Sequence, residues 1–159
     1  MQTPTEPILT IKWVEEIDST NSEVLRTIDQ WEDMQTLAAF NQTAGRGQRG
    51  NTWKIVAGQN LTFSTVLKAD TETEKGSLGL LPAREQFIIS EIATIAVRDY
   101  LVSKGVDAKI KWPNDIYVGN KKICGMLIEN GLSPKGHVAY SVIGIGININ
   151  QTEFPSALV

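Results

Sequence analysis

Between Ile143 and Asn148 the chain alternates isoleucine with glycine, as Ile143-Gly144-Ile145-Gly146-Ile147-Asn148, and this run constrains the fold more than any other. Successive side chains of a strand point to opposite faces, so one face here is packed with isoleucine and the other carries almost no side-chain volume. Gly125 interrupts Ile123-Cys124-Gly125-Met126-Leu127-Ile128 in a similar way. Both strands have to bury an apolar face, and on the other face something comes close to bare backbone. A flat, uncharged ligand body or a bulky neighbouring side chain would serve, and from spacing alone the side chain is the commoner explanation.

The rest of the chain supplies partners for such strands. Ile11 to Trp13 reads as a short edge strand, and Asp18-Ser19-Thr20-Asn21 as a set of N-caps for a helix running to about Asp33. Leu37 to Phe40 and the alternating run from Leu61 to Leu67 read as strands joined by a glycine-rich loop. Ile88, Ile89, Ile92, Ala93, Ala96, Val97, Tyr100 and Leu101 have helical spacing and follow Pro82, which predicts the principal helix. Ala108 to Lys111 ends at Pro113, Ile116 to Val118 follows, and Gly119-Asn120 turns the chain into Lys122 to Glu129. With Val142 to Ile149 this makes six or seven strands. Hairpins outnumber crossovers, so the expected class is α+β: a mixed, mainly antiparallel sheet with helices packed on one face.

With 159 residues, 42% of them hydrophobic, the chain suffices for one domain with a sizeable core. The net charge of −3 disfavours a sequence-independent grip on nucleic acid, so DNA is not an expected partner. A single cysteine and no basic, apolar leader give the expectation of a reduced, cytoplasmic protein. No apolar run approaches the roughly 18 residues of a membrane span, and no membrane partner is expected.

Two segments carry chemistry. In Gly45-Arg46-Gly47-Gln48-Arg49-Gly50-Asn51-Thr52-Trp53 the glycines let backbone N–H groups approach an anion, and Arg46 and Arg49 offer planar forks for carboxylate or phosphate oxygens. The segment lacks the Gly-Lys-Ser/Thr ending of a P-loop and opens no helix. Taken alone, such a Gly/Arg loop is more often a solvated connection. Trp53 could stack on a purine or begin a core strand. In Lys111-Trp112-Pro113-Asn114-Asp115 the proline stops the strand, so Lys111 is either an ordinary strand-end lysine or a cation held rigidly beside a pocket. A cation so placed reduces the repulsion when a carboxylate attacks the α-phosphate of ATP. Asn114 and Asp115 could also be plain turn residues.

Asp18 to Asn21, Gln42 to Trp53, Lys111 to Asp115, Lys122 to Glu129 and Gly144 to Asn148 stand in the order and approximate spacing of biotin protein ligases, also called biotin–acetyl-CoA-carboxylase ligases. The chain resembles that family over residues 8 to 150. The resemblance implies a ligase that uses biotin and MgATP to make biotinoyl-5′-AMP, then transfers the biotinoyl group to a lysine of a biotin carboxyl carrier domain of a biotin-dependent carboxylase. It implies ATP and Mg²⁺ as co-substrate, biotin as substrate, no resident metal and no tightly bound prosthetic group. A homodimer is a further expectation of the same kind.

By position, Ser19, Thr20, Asn21 and Gln42 look like polar contacts to the biotin ureido head. Gly45, Gly125, Gly144 and Gly146 look like walls of its seat. Arg46 and Lys111 look like the catalytic cations, and Arg49, Trp53, Lys111, Asn114 and Asn148 like the nucleotide side, with Lys122 as another contact to carboxyl or phosphate. Acyl transfer to an amine needs no enzyme nucleophile, so Cys124 and His137 are given no catalytic role. Gln48 stands where some members have arginine. The expectation for residues 1–159 is a catalytic domain truncated at its C-terminus, lacking both the N-terminal DNA-binding domain and the small C-terminal barrel of some members. The rival readings are a lipoate or octanoate ligase of the same fold and a non-catalytic fragment that only captures biotin or its adenylate.

Overall fold

The computed structural model describes residues 10–69 and 76–154. Seven strands form one sheet: β1 (Ile11–Ile17), β2 (Thr36–Gln42), β3 (Asn60–Lys68), β4 (Lys109–Lys111), β5 (Asp115–Val118), β6 (Lys121–Leu132) and β7 (Val138–Asn148), in the order β1-β2-β3-β7-β6-β5-β4. Only β1 and β2 run parallel, joined through the short helix α1 (Thr20–Arg26); the other neighbours are antiparallel. The α+β class and the mixed, mainly antiparallel sheet are therefore as the sequence predicts.

The pleat sorts the side chains. On one face Val66 pairs with Val142, and with Leu37, Val24 of α1 and Trp31 they form one core cluster. On the other face Ile143 and Ile147, with Cys124, Met126 and Ile116, pack beneath Ile89, Ala93 and Leu101 of the long helix α2 (Phe87–Ser103). The two helices thus cover opposite faces, which corrects the expectation of helices on one face. The reason is register: β7 sends its isoleucines to one side and its glycines to the other, and each side needs its own cover.

α1 ends at Arg26 rather than near Asp33, because the N–H of Thr27 caps it on Glu23 and Val24 carbonyls and Ile28–Gln30 continues only as a 3₁₀ turn. Among the described residues no helix is long and apolar enough to cross a membrane.

Asn114 belongs to this framework. It is buried, its Nδ2 donates to the Met126 carbonyl at 2.8 Å, and the Met126 N–H returns a bond to the Asn114 carbonyl at 3.2 Å. Both its side chain and its main chain tie the β4–β5 turn to β6. Asn114→Ala should cost about 1–3 kcal/mol of stability by leaving a buried carbonyl short of a donor. Urea unfolding should show this as a lower midpoint at unchanged m-value.

Candidate active site

Pairing in the sheet lines up Lys111, Asp115, Gly125, Gly146, Thr62 and Ala39 across β4, β5, β6, β7, β3 and β2, all on the α1 face. Gly125 and Gly146 leave a trough in that row, and Gly144 extends it one step along β7. Trp53 lies in the trough: a Cβ at Gly146 would overlap its indole, and a Cβ at Gly125 would stand 3.0 Å from its Cζ3. The indole Nε1 is buried there with no acceptor. The side-chain reading of the glycines is thus what the structure shows: the indole fills the trough and leaves its Nε1 unpaired. This is not the open stacking position expected for Trp53.

A polar cluster walls the trough on the α1 side. The Gln42 Oε1 accepts from the Thr20 N–H at 2.8 Å and faces its hydroxyl at 3.2 Å. Ser64 Oγ lies 2.7 Å from Thr20 Oγ1 and 2.5 Å from Asn21 Oδ1. Asn21 closes over Gly144, where a Cβ would overlap its amide. Thr20, Asn21 and Ser64 are all buried, which is affordable only because each is hydrogen-bonded. Ser64 was legible in the sequence only as one member of an alternating strand. Ser19 is buried too, and its Oγ accepts from Ser22 N–H at 3.4 Å as the N-cap of α1. Next to it Asp18 is bound by the Arg26 guanidinium at 2.7 Å, which holds its carboxyl down at about 2 and pins the start of α1.

At the opposite end of the trough stands a lysine, and it is Lys122. Its Nζ would lie 3.2 Å from a Cβ at Gly125, sits 5.7 Å from the Trp53 ring centroid and is paired with Asp115 at 2.7 Å. Lys111 lies two strands farther out, on the edge strand, exposed, with its Nζ 3.4 Å from the Tyr117 hydroxyl and over that ring. A bulge between Ile116 and Tyr117 shifts the β5–β6 register at this point. Asn148 joins the same end: its Nδ2 donates to the Lys122 carbonyl at 3.3 Å, while its Oδ1 is buried without a donor.

The glycine-rich loop arches over the trough. Gly45 exchanges backbone contacts with Trp53, whose N–H donates to the Gly45 carbonyl at 2.8 Å, and a Cβ there would overlap the Trp53 carbonyl. Arg46 is ion-paired with Glu129, so it is turned toward the Asn21 end rather than toward Lys122. Arg49, at φ 57°, is exposed. Beyond Trp53 a cavity of about 650 Å³ opens, lined by Gln42, Gly45, Lys54, Gln151 and Phe154 among others. Trp53 therefore stands between the trough and a second space.

Cys124 points away from the trough. Fully buried in the core of the other face, its thiol is pushed up to about 12 by burial. It stays neutral at physiological pH and cannot act as a thiolate. Iodoacetamide at pH 8 should leave the native protein unlabelled and label the guanidinium-unfolded chain once, as mass spectrometry would show. Among the described residues no group of three or more His, Cys, Asp or Glu side chains is placed to hold a metal ion.

Comparison with known proteins gives the family and the fold. The model of the biotin/lipoate A/B protein ligase family matches residues 13–148. The chain is 33% identical over 145 residues to the bifunctional ligase/repressor BirA of Escherichia coli, covering 90% of this chain and 41% of that protein. It is 36% identical over 135 residues to the biotin–[acetyl-CoA-carboxylase] ligase of Paracoccus denitrificans, covering 83% and 51%. Among solved structures, the biotin protein ligase from Aquifex aeolicus in complex with biotin and ATP superposes with a TM-score of 0.67 at 29% identity, over 94% of this chain and 56% of that one. The biotin acetyl coenzyme A carboxylase synthetase from Helicobacter pylori with bound biotinylated ATP gives 0.66 at 27%, over 92% and 64%. The chain thus spans about half the length of the curated relatives it matches.

Proposed function

Because the chain belongs to the biotin/lipoate A/B protein ligase family, we propose that it activates biotin with ATP and passes the biotinoyl group to a lysine of a biotin carboxyl carrier domain. The carrying observation is the trough itself: a side-chain-free floor at Gly125 and Gly146, with a buried hydrogen-bonding cluster at one end and a lysine at the other. A molecule with a polar head, a flat apolar body and a carboxylate tail matches that sequence of environments. The ureido head of biotin would take over bonds now made among Thr20, Asn21, Gln42 and Ser64, and its bicycle would displace Trp53 from Gly125 and Gly146.

In the first step a biotin carboxylate oxygen attacks the α-phosphorus of ATP, and the bond to the β-phosphate bridging oxygen breaks to release pyrophosphate. Lys122 lies where these two anions would meet and would stabilise the charge that builds up between them. Arg49, exposed on the loop, is available to the phosphates. Displaced toward the 650 Å³ cavity, Trp53 would present its ring to the adenine. Mg²⁺ would arrive with the nucleotide phosphates as part of the substrate, with Asn148 Oδ1 the nearest unpaired carbonyl oxygen on the lysine side.

In the second step the acceptor amine attacks the acyl carbon, the acyl–phosphate bond breaks, AMP leaves with the electron pair and the amine sheds a proton. No enzyme nucleophile is required, consistent with the inert Cys124. Incubation with biotin, MgATP and a biotin carboxyl carrier domain should give a streptavidin-reactive carrier whose mass rises by one biotinoyl group. Equal labelling with lipoate, or none with either acid, would refute the reading.

A further inference from the structure

We propose that Glu129 is a positioning residue that latches the glycine-rich loop over the trough. A single carboxylate oxygen, Oε2, accepts from Arg46 Nη2 at 2.5 Å and from Asn21 Nδ2 at 3.0 Å. It thereby joins residues 83 and 108 positions away in sequence, one from the loop and one from α1. Asn21 is itself fixed by the Leu127 carbonyl at 3.1 Å and by Ser64, so the carboxylate is anchored to the rigid polar wall of the site.

Trp53 anchors the end of the loop in the trough, but around Arg46 the loop has little else to hold it. Gly45 and Trp53 close its base, Arg46 pairs with Thr52 as an isolated bridge, and Gln48–Gly50 form a single exposed 3₁₀ turn. The Arg46–Glu129 pair is the link recorded from the loop's arginines to the sheet among the described residues. It also settles the division of labour between the two arginines: Arg46 tethers, while Arg49 stays available for an anion. This deepens the reading of the trough as a ligand seat and rests on it for what the latch encloses. The latch itself is a property of the ligand-free protein and is tested there.

Trypsin cuts after Arg46 and Arg49, so it reports directly on loop opening. Glu129→Gln keeps shape and hydrogen bonding and removes the charge. Cleavage after Arg46 and Arg49 should quicken about threefold, the range of an ion pair of this exposure. In the unsubstituted protein raising salt from 20 mM to about 0.5 M should quicken the same cuts, because salt screens the pair, and in the variant it should not. Unchanged cleavage, or an equal salt response in both proteins, would overturn the latch. Acceleration spread equally to sites such as Arg98 and Lys122 would overturn it as well, by showing general loosening instead of loop release. Glu129→Asp, one methylene short of Arg46, should behave as Glu129→Gln does. If the latch holds but biotin fails to protect these two bonds, the latch stands and the ligand assignment falls.

Discussion

Replacing Lys122 with alanine should lower biotin-dependent pyrophosphate exchange by about 10²–10³-fold, the cost of losing one preorganised charge at a developing anion. Lys111→Ala should stay within about threefold of the unsubstituted protein, as surface substitutions usually do. The contrast follows from position. Lys122 reaches over Gly125 to the trough and is oriented by Asp115 at 2.7 Å, whereas Lys111 sits on the sheet edge against Tyr117. Asp115→Asn should fall between the two, since it leaves the ammonium in place and frees its orientation. Both lysines lie on one face of the sheet, so thermal melting of each variant separates lost chemistry from lost fold. A large loss from Lys111→Ala with Lys122→Ala near normal would restore the role the sequence motif suggested for Lys111.

Gly146→Val should weaken biotin binding markedly while leaving the fold intact. The added methyl groups enter the trough, where the floor is bare backbone and the present neighbour is the Trp53 ring. Trp53 belongs to a loop and can swing away, so the folded protein escapes the clash. A ligand held between polar wall and lysine cannot, and an overpacking cost of about 1–3 kcal/mol is about 5- to 150-fold in affinity. Gly144→Ala makes a useful comparison. Its Cβ meets Asn21, which is bound to Leu127, Glu129 and Ser64 and has nowhere to go, so this variant should lose stability as well as affinity. Calorimetric titration with biotin, alongside a melt of each variant, distinguishes the two outcomes.

Much of the architecture was legible because it depends on local pattern. The alternation of isoleucine with glycine in β7 implied a bare face, and Pro113 and the Gly119-Asn120 turn marked strand ends. The long helix was equally clear, yet which of its sides is inside was not. Ile88, Ile89, Ile92 and Ile95 surround it, and only Ile89 is buried, so periodicity alone had no polar face to orient by. Side-chain roles set by long-range register were harder still. That Lys122 reaches Gly125 while Lys111 stays on the edge strand shows only once the strand order and the β5–β6 bulge are known. Ser64 joins the polar wall because β3 pairs with β7 in the register that sets Ser64 opposite Gly144. Glu129 gives no sign in the sequence that Arg46, 83 residues away, will meet it. Ser19 and Asn114 also have framework partners that their motifs did not announce, an N-cap and a strand tie, because short polar residues readily satisfy nearby backbone groups.

The proposed first chemical step is formation of an acyl-adenylate from biotin in the glycine trough. It is tested most directly by ATP–pyrophosphate exchange on the 159-residue chain, with biotin, with lipoate and with neither acid. Exchange should require biotin, should not be supported by lipoate and should be strongly reduced in Gly146→Val. Exchange that proceeds without added acid, or none at all from a protein that binds biotin, would contradict it.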